Sequence, residues 1–142
     1  MSRVKDLVKN RELFYVDENR SVADVARHMA DLNVGAILVL SQGQLKGVFS
    51  ERDLMTRIVL QRRDPDRTQV RDVMSTNLVT IDEEASLAEA MENMTTFNCR
   101  HLPVTRGSKI VGFLSMRDVM HHELAVKTEE IHHMRAYIAG NL

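Results

Sequence analysis

Between Ser21 and Asn33, apolar side chains fall at Val22, Val25, Ala26 and Met29, the spacing of a helix with one buried face. The spacing returns at Leu87, Ala90, Met91 and Met94. A serine opens each stretch with an acid three residues on, Ser21 with Asp24 and Ser86 with Glu89, the signature of a capped helix start. Two apolar runs without polar alternation follow, "AILVL" and "HLPV", and read as short buried strands. Turns at Ser41-Gln-Gly-Gln44 and Arg106-Gly-Ser-Lys109 lead into "LKGVFS" and "IVGFLS", a further strand each. "ELFYV" and "NLVTI" read as extended segments ahead of the first helices, and a second helix begins at each Ser-x-Arg-Asp. The tail "KTEEIHHMRAYIAGNL" predicts a helix of its own, with Thr128 as N-cap, Glu129 and Glu130 in the first turn and Gly140 as stop. Its stripe of Ile131, Met134, Tyr137 and Ile138 must be buried on the body or on another subunit.

These elements form an internal repeat. Shifted by 65 positions, Val16-Asp17 falls on Ile81-Asp82, Met29 on Met94, Asn33 on Asn98 and Val39 on Val104. Gly47, Ser50, Arg52 and Asp53 fall on Gly112, Ser115, Arg117 and Asp118, without a gap from Val16 to Leu54. Upstream, "VKDLV" matches "VRDVM" once one residue is inserted in the first copy. The fold class read from this is α+β: two β-α-β-β-α units packed about a pseudo-two-fold axis, plus a C-terminal helix. The units occupy residues 1–62 and 70–124, with 63–69 as a polar linker and 125–142 as the tail. Each small sheet is covered on one face by its own helices, so the other face must meet the second unit. That packing creates two equivalent clefts, each lined by both halves.

Composition narrows the function. Of 142 residues, 44% are apolar and 27% charged, a globular balance with enough material for a core. Nine methionines and no tryptophan imply a core of aliphatic and thioether side chains. A formal net charge of −1 makes nucleic acid an unlikely partner, and Arg62-Arg63 is offset by Asp64 and Asp66. Cys99, the single cysteine, cannot form an intramolecular disulfide and is expected to be an inert, buried thiol. No apolar run has the length of a membrane span or a signal peptide. A cytoplasmic location without membrane association is expected.

The repeated phrases "GVFSERDL" and "GFLSMRDV" carry the candidate chemistry. Ser followed three residues later by Asp is first a capping box, and Gly47 and Gly112 let backbones approach closely. The same group also suits a nucleotide. A helix start attracts phosphate, an Asp carboxylate accepts both hydrogens of a ribose diol, and Arg pairs with phosphate. Val48 and Phe113 would then wall an apolar slot for a base. No nucleophile, base and orienting group occur together, so no enzymatic activity is expected. His121-His122 and His132-His133 would share a metal only if one helix joined them, and a solvated polar face is the expectation.

The stretches "VGAILVLSQGQLKGVFSERDL" and "CRHLPVTRGSKIVGFLSMRDV", each after its capped helix, resemble a tandem pair of CBS domains over about residues 1 to 124. The resemblance implies a stand-alone regulatory module that needs no cofactor and takes an adenosyl ligand: AMP, ADP, ATP, sometimes NAD(H) or S-adenosylmethionine. It implies that Asp53 and Asp118 hold ribose, with Ser50, Arg52, Ser115 and Arg117 approaching ribose or phosphate. Val34, Gly35 and Ala36, with Val8 and Phe14, would serve the Asp118 cleft. Met74 and Val79 would serve the Asp53 cleft, and Arg100 and His101 would meet phosphate. Such pairs commonly form homodimers, flat discs of four repeats, and signal to an effector protein. The first copy has "GAILV" where the second has "RHLPV", and Glu51 adds an anion where Met116 is neutral. The clefts should therefore be unequal, with Asp118 the better phosphate site. Alternatives are an NAD(H) sensor, or an interaction module that takes no ligand.

Overall fold

A computed structural model describes residues 2–140. Two three-stranded sheets stand side by side. In the first, β1 (Tyr15–Asp17) pairs parallel with β2 (Ala36–Ser41), which pairs antiparallel with β3 (Gln44–Ser50). In the second, β4 (Ile81–Asp82), β5 (His101–Arg106) and β6 (Lys109–Ser115) repeat that order and register. The helix α2 (Val22–Leu32) links the parallel strands of the first sheet, and α4 (Leu87–Thr96) those of the second. The predicted caps form: Ser21 Oγ accepts from Asp24 N at 3.1 Å, and Ser86 Oγ from Glu89 N at 3.1 Å. Asn33 caps α2 in left-handed conformation at φ 56°, and its match Asn98, one residue beyond the Phe97 cap of α4, has φ 50°. Asparagine tolerates that region better than other residues with a Cβ.

The cores do not follow the sequence repeats. Helix α1 (Val4–Val8) opens the first repeat, yet Val4 and Val8 are buried with Ile81, Leu87, Met94, Leu102 and Leu114 of the second. The matching turn Val70–Asp72 opens the second repeat, yet Val70 and Val73 are buried with Val16, Val25, Ile37 and Phe49 of the first. Equivalent hydrogen bonds make both crossings: Val4 N to Ala85 O and Val70 N to Arg20 O, each at 2.9 Å. Each unit thus donates its leading segment to its neighbour, which ties the halves together far more firmly than surface packing alone. The linker is ordered as well. Carbonyls of Pro65 and Thr68 accept from Ala23 N and Val22 N, satisfying two amides that α2 leaves open at its start.

Two helices depart from expectation. After Ser50, α3 (Glu51–Asp53) passes into a wider π-helical segment, Leu54–Val59, with a bond from Leu60 N to Met55 O. After Ser115, α5 runs unbroken from Met116 to Gly140. The helix start expected at Thr128 does not exist. Thr128 Oγ1 donates to Leu124 O at 2.9 Å, four residues back within the same helix, so it interrupts nothing. Asn141 and Leu142 lie outside the described residues.

Candidate functional site

The Asp118 cleft is built where β6 gives way to α5. Ser115 N donates to Asp118 Oδ2 at 2.9 Å, and Asp118 N donates to Ser115 Oγ at 3.0 Å, so the capping box is real. It leaves the carboxylate facing a cavity of about 1380 Å³. Arg11, in the loop between α1 and β1, places Nη1 2.8 Å from Asp118 Oδ2. Burial opposes ionisation of Asp118, but Arg11 and the Ser115 amide and hydroxyl outweigh it and hold the carboxyl below the ordinary range. Opposite, His101 stacks on Phe113 with centroids 5.2 Å apart and planes at 29°. Burial is the main influence lowering the pKa of His101, aided by Arg100, and Asp118 and Glu51 offset it only in part.

Every residue assigned to this cleft from the sequence lines it: Val8, Phe14, Val34, Gly35, Ala36, Arg100, His101, Phe113, Ser115, Arg117 and Asp118. Gly112 is needed for its shape, because a Cβ there would stand 2.9 Å from Val8 Cβ. The walls come from both repeats. Sequence reasoning missed Arg11, Glu12, Glu123 and Lys127, which also line the cavity. Arg11 has no basic counterpart in the second copy, and Lys127 reaches the rim only because α5 continues. Glu51, expected to add its anion to the first phrase, lines the Asp118 cleft instead, beside Gly35. Its charge is felt there by His101.

The equivalent Asp53 site is closed. Asp53 is 7% exposed, and its carboxylate is taken up by the protein itself. Ser50 N and Ser50 Oγ donate to Oδ2 at 3.0 and 3.1 Å, and Ser75 Oγ lies 3.1 Å from Oδ1. Arg57 Nε stands 3.6 Å from Oδ1, while its Nη1 donates to Val73 O and Met74 O at 3.1 and 2.9 Å. Met74 fills the space above Gly47, where a Cβ would stand 2.5 Å from its sulfur. Val48 is bridged to Ser75. Ser50, Arg52, Val48 and Met74 do not line the Asp118 cavity, and Val79 packs against the core of the second unit.

One helix does join the histidines, but His121 and His132 are separated by eleven residues, about 16 Å along the axis. A single metal needs ligand atoms about 2 Å away. No group of three metal-ligating side chains forms among the described residues. Cys99 is half-buried, and burial pushes its thiol up, away from the reactive thiolate. No described helix is long and apolar enough to cross a membrane.

Known proteins share this architecture. Residues 4–60 and 70–125 each match the CBS domain. The chain is 35% identical over 125 residues to the CBS domain-containing protein YhcV of Bacillus subtilis, covering 88% of each. It is 34% identical to the mitochondrial CBS domain-containing protein CBSX3 of Arabidopsis thaliana, with 84% of the chain spanning 61% of that protein. The CBS-domain containing protein ATU1752 from Agrobacterium tumefaciens superposes with TM-score 0.80 at 29% identity, over 86% of this chain and 99% of that one. The CBS domain pair of MJ0100, solved with 5′-methylthioadenosine and S-adenosyl-L-methionine, superposes with TM-score 0.79 at 18% identity, over 88% and 98% of the two chains. Matched twice by one family model across nearly all its length, and folded as that family folds, the chain belongs to the CBS-domain family as a tandem pair.

Proposed function

We propose that the Asp118 cleft binds an adenosyl ligand that carries phosphate, and that the pair is a regulatory module without catalysis of its own. The observation that carries this reading is the Asp118 carboxylate facing an open cavity beside Arg11, Arg100 and Arg117. A ribose diol donates both hydroxyl hydrogens to Asp118 and takes the place of Arg11. The released guanidinium then turns to phosphate, joined by Arg100 and His101. Val8, Val34, Ala36 and Phe113 offer apolar wall for the base. Because the walls belong to both repeats, ligand draws them together and favours whichever arrangement it fits better. A homodimer would pass that preference to an effector protein. The adenosyl compounds bound by the MJ0100 pair support this class of ligand.

A dinucleotide such as NADH is a second reading, favoured by a cavity of about 1380 Å³, roomier than the about 300–1,000 Å³ of ordinary ligand pockets. Calorimetric titration with AMP, ADP, ATP, NADH and S-adenosylmethionine tests both. Asp118→Ala should weaken the preferred ligand at least about tenfold, the scale of a lost charged hydrogen bond. Asp53→Ala should leave its affinity unchanged. Arg11→Ala should weaken AMP but not adenosine. No binding to folded protein stripped of carried-over nucleotide would refute the sensor and favour an interaction module.

A further inference from the structure

The helix α5 leaves the body: every described residue from Lys127 to Gly140 is exposed. That arm is about 21 Å long, and a helix of such length is marginal in water on its own. Its exposed apolar residues are not scattered. Met120, Leu124, Lys127, Ile131, Met134 and Ile138 follow alternating steps of four and three, the seam of a coiled coil broken only by Lys127. Ile131, Met134 and Ile138 are 52%, 65% and 58% exposed. The stripe noted in the sequence is therefore not buried on the body.

We propose that this arm pairs with the same arm of a second copy, as a parallel, in-register coiled coil from Leu124 to Ile138. Flanking charges choose the partner and its direction. With Leu124, Ile131 and Ile138 as a positions and Met134 as d, Glu130 takes a g position and Arg135 the following e position. In a parallel pair Glu130 of each copy faces Arg135 of the other, two complementary contacts. Reversing one helix over the same seam sets Glu130 against Glu130 and leaves Arg135 without an acid. Lys127 on the seam costs stability and penalises slipped registers. Leu124 and Lys127 also rim the Asp118 cavity, so the second copy would meet the open end of that cleft. The pairing itself does not depend on the ligand reading.

Disulfide trapping tests it, in full-length protein with Cys99→Ser. Met134→Cys, at a d position, should form a cross-linked dimer under mild oxidation. Ala136→Cys, on the outer face, should do so at least fivefold less. Glu130→Arg should suppress the Met134→Cys cross-link, and adding Arg135→Glu should restore it. Equal cross-linking at both positions, or none at Met134, would overturn the proposal. So would indifference to the charge swap. Preferential cross-linking of Leu124→Cys to Met134→Cys in a mixture would overturn it too, because only a reversed pair brings those positions together.

Discussion

Two aspartates in the same Ser-x-Arg-Asp phrase end in opposite states because of side chains outside that phrase. Arg57 and Ser75 seal Asp53, whereas Asp118, beyond its own Ser115 cap, meets Arg11 from an exposed loop and stays open to the cavity. His101 adds a pH dependence. Its pKa is lowered in the folded chain, so the unfolded chain binds the proton first as pH falls below the ordinary imidazole value. That part of the stability is present above about pH 6.5 and is lost as pH falls towards the folded pKa. A bound phosphate reverses the bias by favouring imidazolium. Affinity for AMP should therefore rise as pH falls from about 8 to about 6, while affinity for adenosine should not. Titrations across that range check this, with His101→Gln removing the component due to the imidazole rather than to the phosphate's own titration.

The helices that follow the two serines show how one start can lead to two elements. Both have the capping box, but α3 widens after Asp53 and ends near Val59, and α5 continues for 25 residues. The wide segment carries Arg57, whose guanidinium spans Asp53 and two carbonyls of the chain entering the second repeat. Asp53 is thus a structural joint. Removing its carboxylate leaves the Ser50 amide and the Ser75 hydroxyl without their acceptor. Asp53→Ala should cost about 2 kcal/mol of stability, in the range for a buried polar group left unpartnered. Asp118→Ala, in the open cleft, should cost less. Urea unfolding of the two variants side by side checks the order, and equal losses would refute the distinction.

The whole molecule is two interlocked units rather than two beads. Its first helix completes the core of the second repeat, and the turn after the linker completes the first. A deletion of residues 2–9 should therefore damage the far half. It removes Val4 and Val8 from that core, at about 1.5–3 kcal/mol for each buried side chain. Against a typical total of about 5–15 kcal/mol, the loss is large. Hydrogen exchange should show β5 and β6 losing protection before β2 and β3. The opposite order would mean that each repeat is stabilised by its own leading segment.

Periodicity, caps and turns in this chain are local features, and the repeat makes each of them visible twice. The α2 and α4 starts, the strands and the lining of the Asp118 cleft were legible for that reason. The asparagines at positions 33 and 98 were visible as a match, but their left-handed role needed the backbone. Which aspartate stays open was legible only as an inequality, argued in part from Glu51, which lies in the other cleft. Contacts between distant segments decided the rest: Arg57 and Met74 closing one cleft, Arg11 guarding the other, and α1 crossing to the second core. No spacing encodes such contacts, because they depend on where separate elements come to rest against each other. The unbroken α5 has a similar cause. Thr128 is compatible with a helix start or a helix interior, and its capping signal yields when the backbone on both sides is already helical.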